Sequence, residues 1–170
     1  MQPKRIEESR VILSQLMHPE HANNLGNVHG GVLMRLIDEA GALCSARHAR
    51  RPTVTVAVDS LTFLEPVQIG DLVTFCARLT YVGRSAMEVE VCVEAEEITT
   101  GERRLTNRAY VVYVALDAAG RPAEVPPLLL ETTEERERWE QGRQRQAERL
   151  ARRARETPAA TSACRRPRPE

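Results

Sequence analysis

The chain has 170 residues, which is enough for one domain with a sizeable core but not comfortably enough for two. Lysine and arginine together equal aspartate and glutamate at 24 each, and the resulting net charge of zero argues against a general nucleic-acid binder. No apolar run is long enough to span a membrane, and residues 1–17 carry charges throughout, without the apolar segment of a secretory signal. We therefore expect a cytoplasmic protein that binds neither membranes nor nucleic acids.

The first part of the chain predicts a strand, a polar loop and one long helix. Residues 10–17 are apolar and short enough for a strand, and the loop at 18–31 follows. The helix is predicted from apolar residues at helical spacing, namely Leu33, Leu36, Ile37, Ala40 and Cys44. "RRP" at 50–52 should end it.

Beyond Pro52 the apolar period changes from 3.6 to 2, which predicts strands. They should occupy residues 53–64, 72–82, 85–98 and 103–116, joined by turns into an antiparallel meander with one polar face. In the third of these strands the alternation is clean. Met87, Val89, Val91, Val93 and Ala95 should face the core, and Glu88, Glu90, Glu94 and Glu96 should face solvent.

The last 40 residues differ in character from the rest. Residues 131–156 predict a charged helix whose only apolar contacts are Trp139, Ala147 and Leu150, so it should be solvated or packed along a narrow stripe on a partner. Residues 157–170 have a disordered composition. The folded domain is therefore expected at 1–130.

One long helix on one antiparallel sheet is an α+β architecture. A single helix cannot cover both faces of such a sheet, and the sheet edges remain open. Dimerisation would solve both problems.

The four cysteines, at 44, 76, 92 and 164, show no CxxC pair, which is typical of reduced thiols and not of disulfides or a zinc site.

The stretch "GNVHGG" at 26–31 directly precedes the helix. The backbone N–H groups of Gly30, Gly31 and Val32 are therefore expected to be unpaired donors at the positive end of the helix dipole. A phosphate cradle would need the Lys and Ser/Thr of a P-loop, which are missing. An oxyanion hole is the second interpretation, with Asn27 holding a water or a carbonyl. A tight turn that needs small residues is the third.

Asp38 lies about 140° from the centre of the apolar stripe of the helix. Its flank also holds Met34, Gly41, Ala42 and Ser45, and small residues there would permit the close approach of another chain. A carboxylate in this setting is a candidate general base or nucleophile. The alternative is a solvated surface carboxylate.

Several motifs together resemble the acyl-CoA thioesterases of the hotdog fold, nearest to the cytosolic acyl-CoA hydrolase (brain-type and YciA-like) group. They are "HPEHANNLGNVHGGVLMRLIDEAGALCSARH", "FLEPVQIGD", "YVGRSAMEVEV", "TGERRLTNRAYVVYVAL" and "EVPPL". The resemblance runs in order from Arg10 to Leu128. It implies a long helix wrapped by an antiparallel sheet of five or six strands, a double-hotdog homodimer and often a trimer of dimers. It also implies hydrolysis of acyl-CoA without a metal or a separate cofactor.

The resemblance also implies roles for the loop and the helix. Asp38 would activate water or attack the thioester, Asn27 would orient water or substrate, and the N–H of Gly30 or Gly31 would polarise the carbonyl. Many single-domain members carry Asp at the position of Asn27, which sets this chain apart. His29 would contact substrate or be structural. Asn27 and Asp38 are too far apart along one chain to touch one thioester, so each site should be shared between two chains.

A turn and a strand resemble the CoA-contacting segments of the family. Their residues are Gly83, Arg84 and Ser85 in "VGRS", and Thr106, Asn107 and Arg108 in "TNR". Arg84 and Arg108 suit phosphate groups, although a solvated surface charge is the alternative for each. The competing function is a hotdog module that binds acyl-CoA as a sensor or regulator without turnover. Intact Asn27 and Asp38 favour the enzyme.

Overall fold

A computed structural model describes residues 1–156. The strands are β1 (Lys4–Arg5), β2 (Val11–Leu16), β3 (Thr53–Phe63), β4 (Leu72–Val82), β5 (Ala86–Glu97), β6 (Glu102–Ala115) and β7 (Leu128–Leu129), and the helices are α1 (Gly30–Ala49) and α2 (Thr133–Glu156). The predicted strands and both helices are confirmed to within a few residues. The predicted disordered tail lies outside the described residues, and the domain boundary at 130 stays a prediction. Neither of the two helices is long and apolar enough to cross a bilayer.

The main sheet has five antiparallel strands in the order β2-β4-β5-β6-β3. The prediction of a simple meander is wrong for β3, which pairs with β6 at the far edge instead of with β4. Three strand spacings, or about 14 Å, separate β3 from β4. The eight residues of segment 64–71 can span about 26 Å when extended, so they carry the chain across the end of the sheet. β3 is therefore an edge strand of the sheet, and this position matters for the candidate active site.

α1 lies across one face of this sheet, called here the inner face, and closes the core. All five apolar residues predicted for the helix are buried, and the five apolar residues of β5 are fully buried against them. The helix ends where Arg50 adopts a left-handed conformation (φ 53°), and Pro52 follows. The α+β class, with one long helix on one antiparallel sheet, is confirmed.

The opposite, outer face of the sheet is covered by α2 of the same chain, so two predictions are wrong. Glu88 and Glu90 are buried rather than solvated, because arginines of α2 pack onto them. Of the predicted apolar contacts of α2, only Trp139 packs on the sheet, with its ring 5.4 Å from that of Tyr81. Ala147 and Leu150 are exposed.

The contacts of α2 are mainly ionic. Arg145 donates to both carboxylate oxygens of Glu88, at 2.7 and 3.1 Å, and lies 4.0 Å above the ring of Tyr110. Thr80 donates a further hydrogen bond to Glu88 at 2.6 Å. Gly142 lets the helix approach closely, since a Cβ atom there would lie 2.7 Å from Cβ of Tyr81. A charged helix thus docks by neutralising carboxylates that the sheet buries.

Replacing Arg145 by alanine should lower the free energy of unfolding by about 2 to 3 kcal/mol, because it leaves the fully buried carboxylate of Glu88 without its cation. Arg143→Ala, on the same helix, is the matched control, since its pair with Glu140 is exposed to solvent and its loss should leave the free energy of unfolding nearly unchanged. Urea unfolding of the two variants measures the difference. Equal midpoints would show that the buried pair does not hold α2 in place.

Candidate active site

Three glycines of the loop before α1 each occupy a position where a side chain would be strained or crowded. Gly26 has a φ of +85°, a left-handed conformation that side chains rarely adopt. A Cβ atom on Gly30 would lie 3.3 Å from the ring of Phe63, and one on Gly31 would lie 3.0 Å from the imidazole of His29. The tight-turn interpretation is therefore correct for part of this motif, and the glycines also bring the helix start against Phe63.

His29 caps the N-terminus of α1, so fewer backbone N–H groups are free there than the sequence predicted. Its Nδ1 accepts a hydrogen bond from the N–H of Gly31 at 2.9 Å, and its carbonyl accepts one from Val32 at 2.9 Å. The prediction that all three N–H groups are unpaired is therefore wrong for Gly31 and Val32. Within the described residues the N–H of Gly30 has no partner. His29 has a structural role as the cap.

Two asparagines, Asn23 and Asn27, shape the loop, and only Asn27 is among the site residues predicted from the sequence. The side-chain Oδ1 of Asn23 accepts hydrogen bonds from the N–H groups of Leu25 at 2.8 Å and Asn27 at 3.2 Å. This fixes the amide plane of Asn23 and leaves its NH₂ group without a partner among residues 1–156. An asparagine that bonds the backbone two residues on is a known turn signal, and it was available in "NNLGN".

A cavity of about 350 Å³ lies beside this loop. It is lined by residues of the loop, the start of α1 and the segment after β3, namely Asn23, Asn27, Val28, Gly30, Leu33, Phe63, Leu64, Glu65, Pro66 and Val67. The cavity therefore combines an apolar wall with two amide side chains and the free N–H of Gly30. Such a combination suits a ligand with an acyl chain and a carbonyl.

Asp38 is half-buried, and its carboxylate is fixed by two hydroxyl donors. Thr55 donates to Oδ1 at 2.7 Å, and the hydroxyl of Tyr113 lies 3.1 Å from the same atom and 3.0 Å from the backbone carbonyl oxygen of Asp38, so these two oxygens share its one proton. Burial and the neighbouring carboxylate raise the pKa of Tyr113, so it stays a donor. Oδ2 of Asp38 accepts no hydrogen bond from any residue in the described part of the chain. The carboxylate is therefore hydrogen-bonded through one oxygen while it remains partly exposed to solvent.

Gly41 makes the contact between Tyr113 and Asp38 possible. A Cβ atom at position 41 would lie 2.3 Å from the hydroxyl of Tyr113. The ring is fully buried and cannot move aside. Neither Tyr113 nor Thr55 is among the site residues predicted from the sequence. Two features of the sequence point to this contact. Tyr113 lies on the core-facing side of the alternating pattern of β6, and Gly41 is a glycine in the middle of a helix.

The loop and the carboxylate do not meet within one chain. Gly30 and Asp38 are eight positions apart in α1, which is about 12 Å along the helix axis. Asp38 contacts the Thr55 end of β3, whereas Gly30 contacts Phe63 at the other end of that strand.

The two predicted CoA-binding clusters are also far apart in one chain. Ser85 accepts a hydrogen bond from the N–H of Ala115 at one end of β6, and Thr106 accepts one from Leu64 at the other. These positions are about 30 Å apart along the strand. Gly83 forms the turn before Ser85 through a hydrogen bond to the carbonyl of Ala86.

The side chains of these clusters differ in their surroundings. Arg84 is 83% exposed and lies 3.6 Å from Glu124. Arg108 is half-exposed and lies 3.7 Å from Glu90 on the outer face. Thr106 forms a bulge next to the cavity segment, and buried Asn107 has a side-chain oxygen with no partner in residues 1–156.

No group of three or more His, Cys, Asp or Glu within residues 1–156 is arranged to hold a metal ion.

Comparison with known proteins identifies the family. Residues 25–102 match the thioesterase superfamily model. The chain is 42% identical over 129 residues to an uncharacterized acyl-CoA thioester hydrolase of Bacillus subtilis, covering 76% of this chain and 75% of that protein. It is 34% identical over 154 residues to the cytosolic acyl coenzyme A thioester hydrolase of Homo sapiens, covering 89% of this chain and 40% of the human protein. The chain thus spans about 40% of the length of its human relative.

Solved structures agree with these sequence matches. An apo-hexameric acyl-CoA thioesterase superposes with a TM-score of 0.86 at 36% identity, covering 91% of this chain and 99% of that chain. The acyl-CoA hydrolase of Staphylococcus aureus, solved with butyryl coenzyme A, coenzyme A and coenzyme A disulfide, superposes with a TM-score of 0.83 at 32% identity, covering 91% and 94%. Variants of that enzyme with one asparagine, one aspartate or one threonine changed to alanine have also been solved, and these positions follow one another at intervals of fifteen and seventeen residues.

With this fold, and with a relative more than 40% identical over three quarters of the chain, the protein belongs to the hotdog-fold thioesterase superfamily, in the group of acyl-CoA thioester hydrolases.

Proposed function

We propose that the protein hydrolyses fatty acyl-CoA to a free fatty acid and coenzyme A. The observation that carries this proposal is the Asp38 carboxylate, with one oxygen fixed by two hydroxyl donors and the other oxygen available. Relatives named as acyl-CoA thioester hydrolases, and one relative solved with butyryl coenzyme A, support the substrate class. The human relative is named as cytosolic, which supports the cytoplasm as the place of reaction.

In this reaction Asp38 supplies the basic oxygen. The hydroxyls of Thr55 and Tyr113 hold Oδ1, so Oδ2 is the atom that takes the proton from an attacking water or attacks the thioester carbon itself. Attack on the carbonyl breaks the carbon–sulfur bond. The coenzyme A thiolate leaves and is protonated, and water supplies the hydroxyl of the acid. The N–H of Gly30, at the positive end of α1, stabilises the negative charge that develops on the carbonyl oxygen.

We propose Asn23, beside the sequence-predicted Asn27, as the loop amide that contacts the substrate. Asn23, Asp38 and Thr55 are spaced fifteen and seventeen residues apart, the same intervals as the three substituted positions of the Staphylococcus aureus enzyme. The NH₂ group of Asn23 is held in a fixed orientation by the two bonds to its Oδ1. A fixed, unpaired donor suits a thioester carbonyl or a water.

The site is assembled from two chains of a homodimer. The edge strand β3 leaves Val54, Val56 and Val58 about half exposed, and α1 leaves Met34 and Leu43 exposed. A second copy of this chain would cover this apolar surface. Antiparallel pairing of β3 with its copy, centred near the middle of the strand, would bring the Phe63 end of one chain beside the Thr55 end of the other.

The same two-fold pairing brings the two CoA-binding clusters toward each other. The Arg84 turn lies at the Thr53 end of its own sheet, and Thr106 to Arg108 lie at the Phe63 end. Reversal of the partner's sheet places these ends on the same side of the dimer. One coenzyme A, which is long and carries phosphates, would then contact both clusters. The hexameric relative supports a trimer of such dimers.

Asp38→Asn should lower kcat at least about a hundredfold with little change in KM, because the amide keeps the shape but has no basic oxygen. Glu39→Gln is the matched control, since Glu39 is an exposed neighbour paired with Arg35, and its kcat should be unchanged. Release of coenzyme A, followed with a thiol reagent, measures both. A wild-type protein that binds acyl-CoA saturably but releases no coenzyme A would support the sensor function instead.

The two loop asparagines are distinguished by Asn23→Asp and Asn27→Asp. Each change adds the same charge to the same cavity and keeps an acceptor oxygen, but only the first removes the oriented NH₂ donor. We expect kcat to fall about a hundredfold for Asn23→Asp, the usual effect of losing one such donor, and less than about fivefold for Asn27→Asp. The reverse order in the same assay would return the role to Asn27.

A further inference from the structure

Two cysteines face each other on the outer face of the sheet. Cys76 of β4 and Cys92 of β5 are directly opposed partners in the antiparallel register. Directly opposed residues have side chains on the same face. Both thiols are free and half-buried, and both line a surface cavity of about 330 Å³. They are therefore neighbours with access to small molecules.

The register places this pair within bonding reach. Opposed residues of antiparallel strands have Cα atoms about 4.5 or 5.5 Å apart, depending on the type of pair. Disulfides form when Cα atoms are about 4.4 to 6.8 Å apart. Both types of pair fall within this range, so a disulfide between β4 and β5 requires little movement of the backbone.

The two thiols have different surroundings. Arg10 donates a hydrogen bond to the sulfur of Cys76 at 3.3 Å, and a neighbouring guanidinium stabilises the negative charge that a sulfur carries when it acts as a nucleophile. Burial and the nearby Glu90 raise the pKa of Cys92. By contrast, Cys44 is fully buried in the core, and burial raises its pKa to about 12. Cys76 is the sulfur that reacts first, and Cys92 is the second thiol.

We propose that Cys76 and Cys92 form a dithiol that low-molecular-weight disulfides oxidise to an intramolecular disulfide. In the first step the Cys76 thiolate attacks one sulfur of the small disulfide, whose sulfur–sulfur bond breaks and releases one small thiol after protonation. In the second step Cys92 loses its proton and attacks the Cys76 sulfur, which releases the second small thiol. Two protein thiols are oxidised, and one small disulfide is reduced. The inference is independent of the proposed thioesterase activity.

The test uses the full-length protein with the tail cysteine removed by Cys164→Ser. The folded protein is incubated with glutathione disulfide, quenched with acid, digested and analysed by mass spectrometry. We expect a peptide pair joined through Cys76 and Cys92. Cys44 should stay unmodified, which shows that the fold is intact. In Cys92→Ser the reaction should stop at a mixed disulfide on Cys76, because the second thiol is missing.

A second probe recognises paired thiols without an oxidant. Phenylarsine oxide should bind once per chain in the Cys164→Ser protein and lose this binding in either Cys76→Ser or Cys92→Ser. The proposal is overturned if Cys76 accumulates as a mixed disulfide while Cys92 stays free. It is equally overturned if neither cysteine reacts with glutathione disulfide or the arsenical in the folded protein.

Discussion

The rigid length of α1 is the constraint on which the site depends. The helix must lie across the inner face of the sheet to bury its apolar stripe, and this fixes its start against Phe63 and its middle against Thr55 and Tyr113. Loop donors and the Asp38 carboxylate are then about 12 Å apart and cannot reach one thioester. The same packing leaves β3 at the sheet edge with apolar side chains exposed. The proposed two-fold partner would bring loop and carboxylate together and would cover the exposed side chains of β3.

The middle of α1 shows how a core contact serves a site. Tyr113 fills the space that Gly41 leaves, so its hydroxyl reaches the carboxylate of Asp38 from within the core. Thr55 approaches the same oxygen from the edge strand. A carboxylate held from two sides keeps its second oxygen in one direction. The orientation of the proposed base is thus set by the packing of helix on sheet.

On the outer face of the sheet, the contacts are mainly ionic. Glu88 and Asp59 are almost fully buried there, and the arginines Arg145 and Arg149 of α2 neutralise them. The alternation of β5 correctly predicted which residues face the core, because an apolar residue stands at every second position from Met87 to Ala95. It could not predict that the charged side is covered. Burial of those glutamates depends on a helix more than forty residues further along the chain.

The site likewise combines features that the sequence could predict with features that it could not. The glycine-rich loop, the long helix and Asp38 could be predicted, because local spacing and helix geometry place them. The capping of Gly31 by His29 could not, since it depends on one side-chain orientation within the loop. Tyr113 reaches Asp38 only through the packing of β6 on α1. The role proposed for Asn23 depends on contacts within the loop, away from the helix start, where local spacing gives no signal.

The most direct test of a site shared between two chains is the activity of mixed dimers. Asn23→Ala and Asp38→Asn homodimers should both be nearly inactive. In a mixed dimer one site receives both lesions and the other receives none. Random re-assortment makes half of the dimers mixed, so activity should return to about a quarter of the wild-type value. Co-refolded mixtures that contain heterodimers by native mass spectrometry, yet stay as inactive as the two parents, would contradict the shared site.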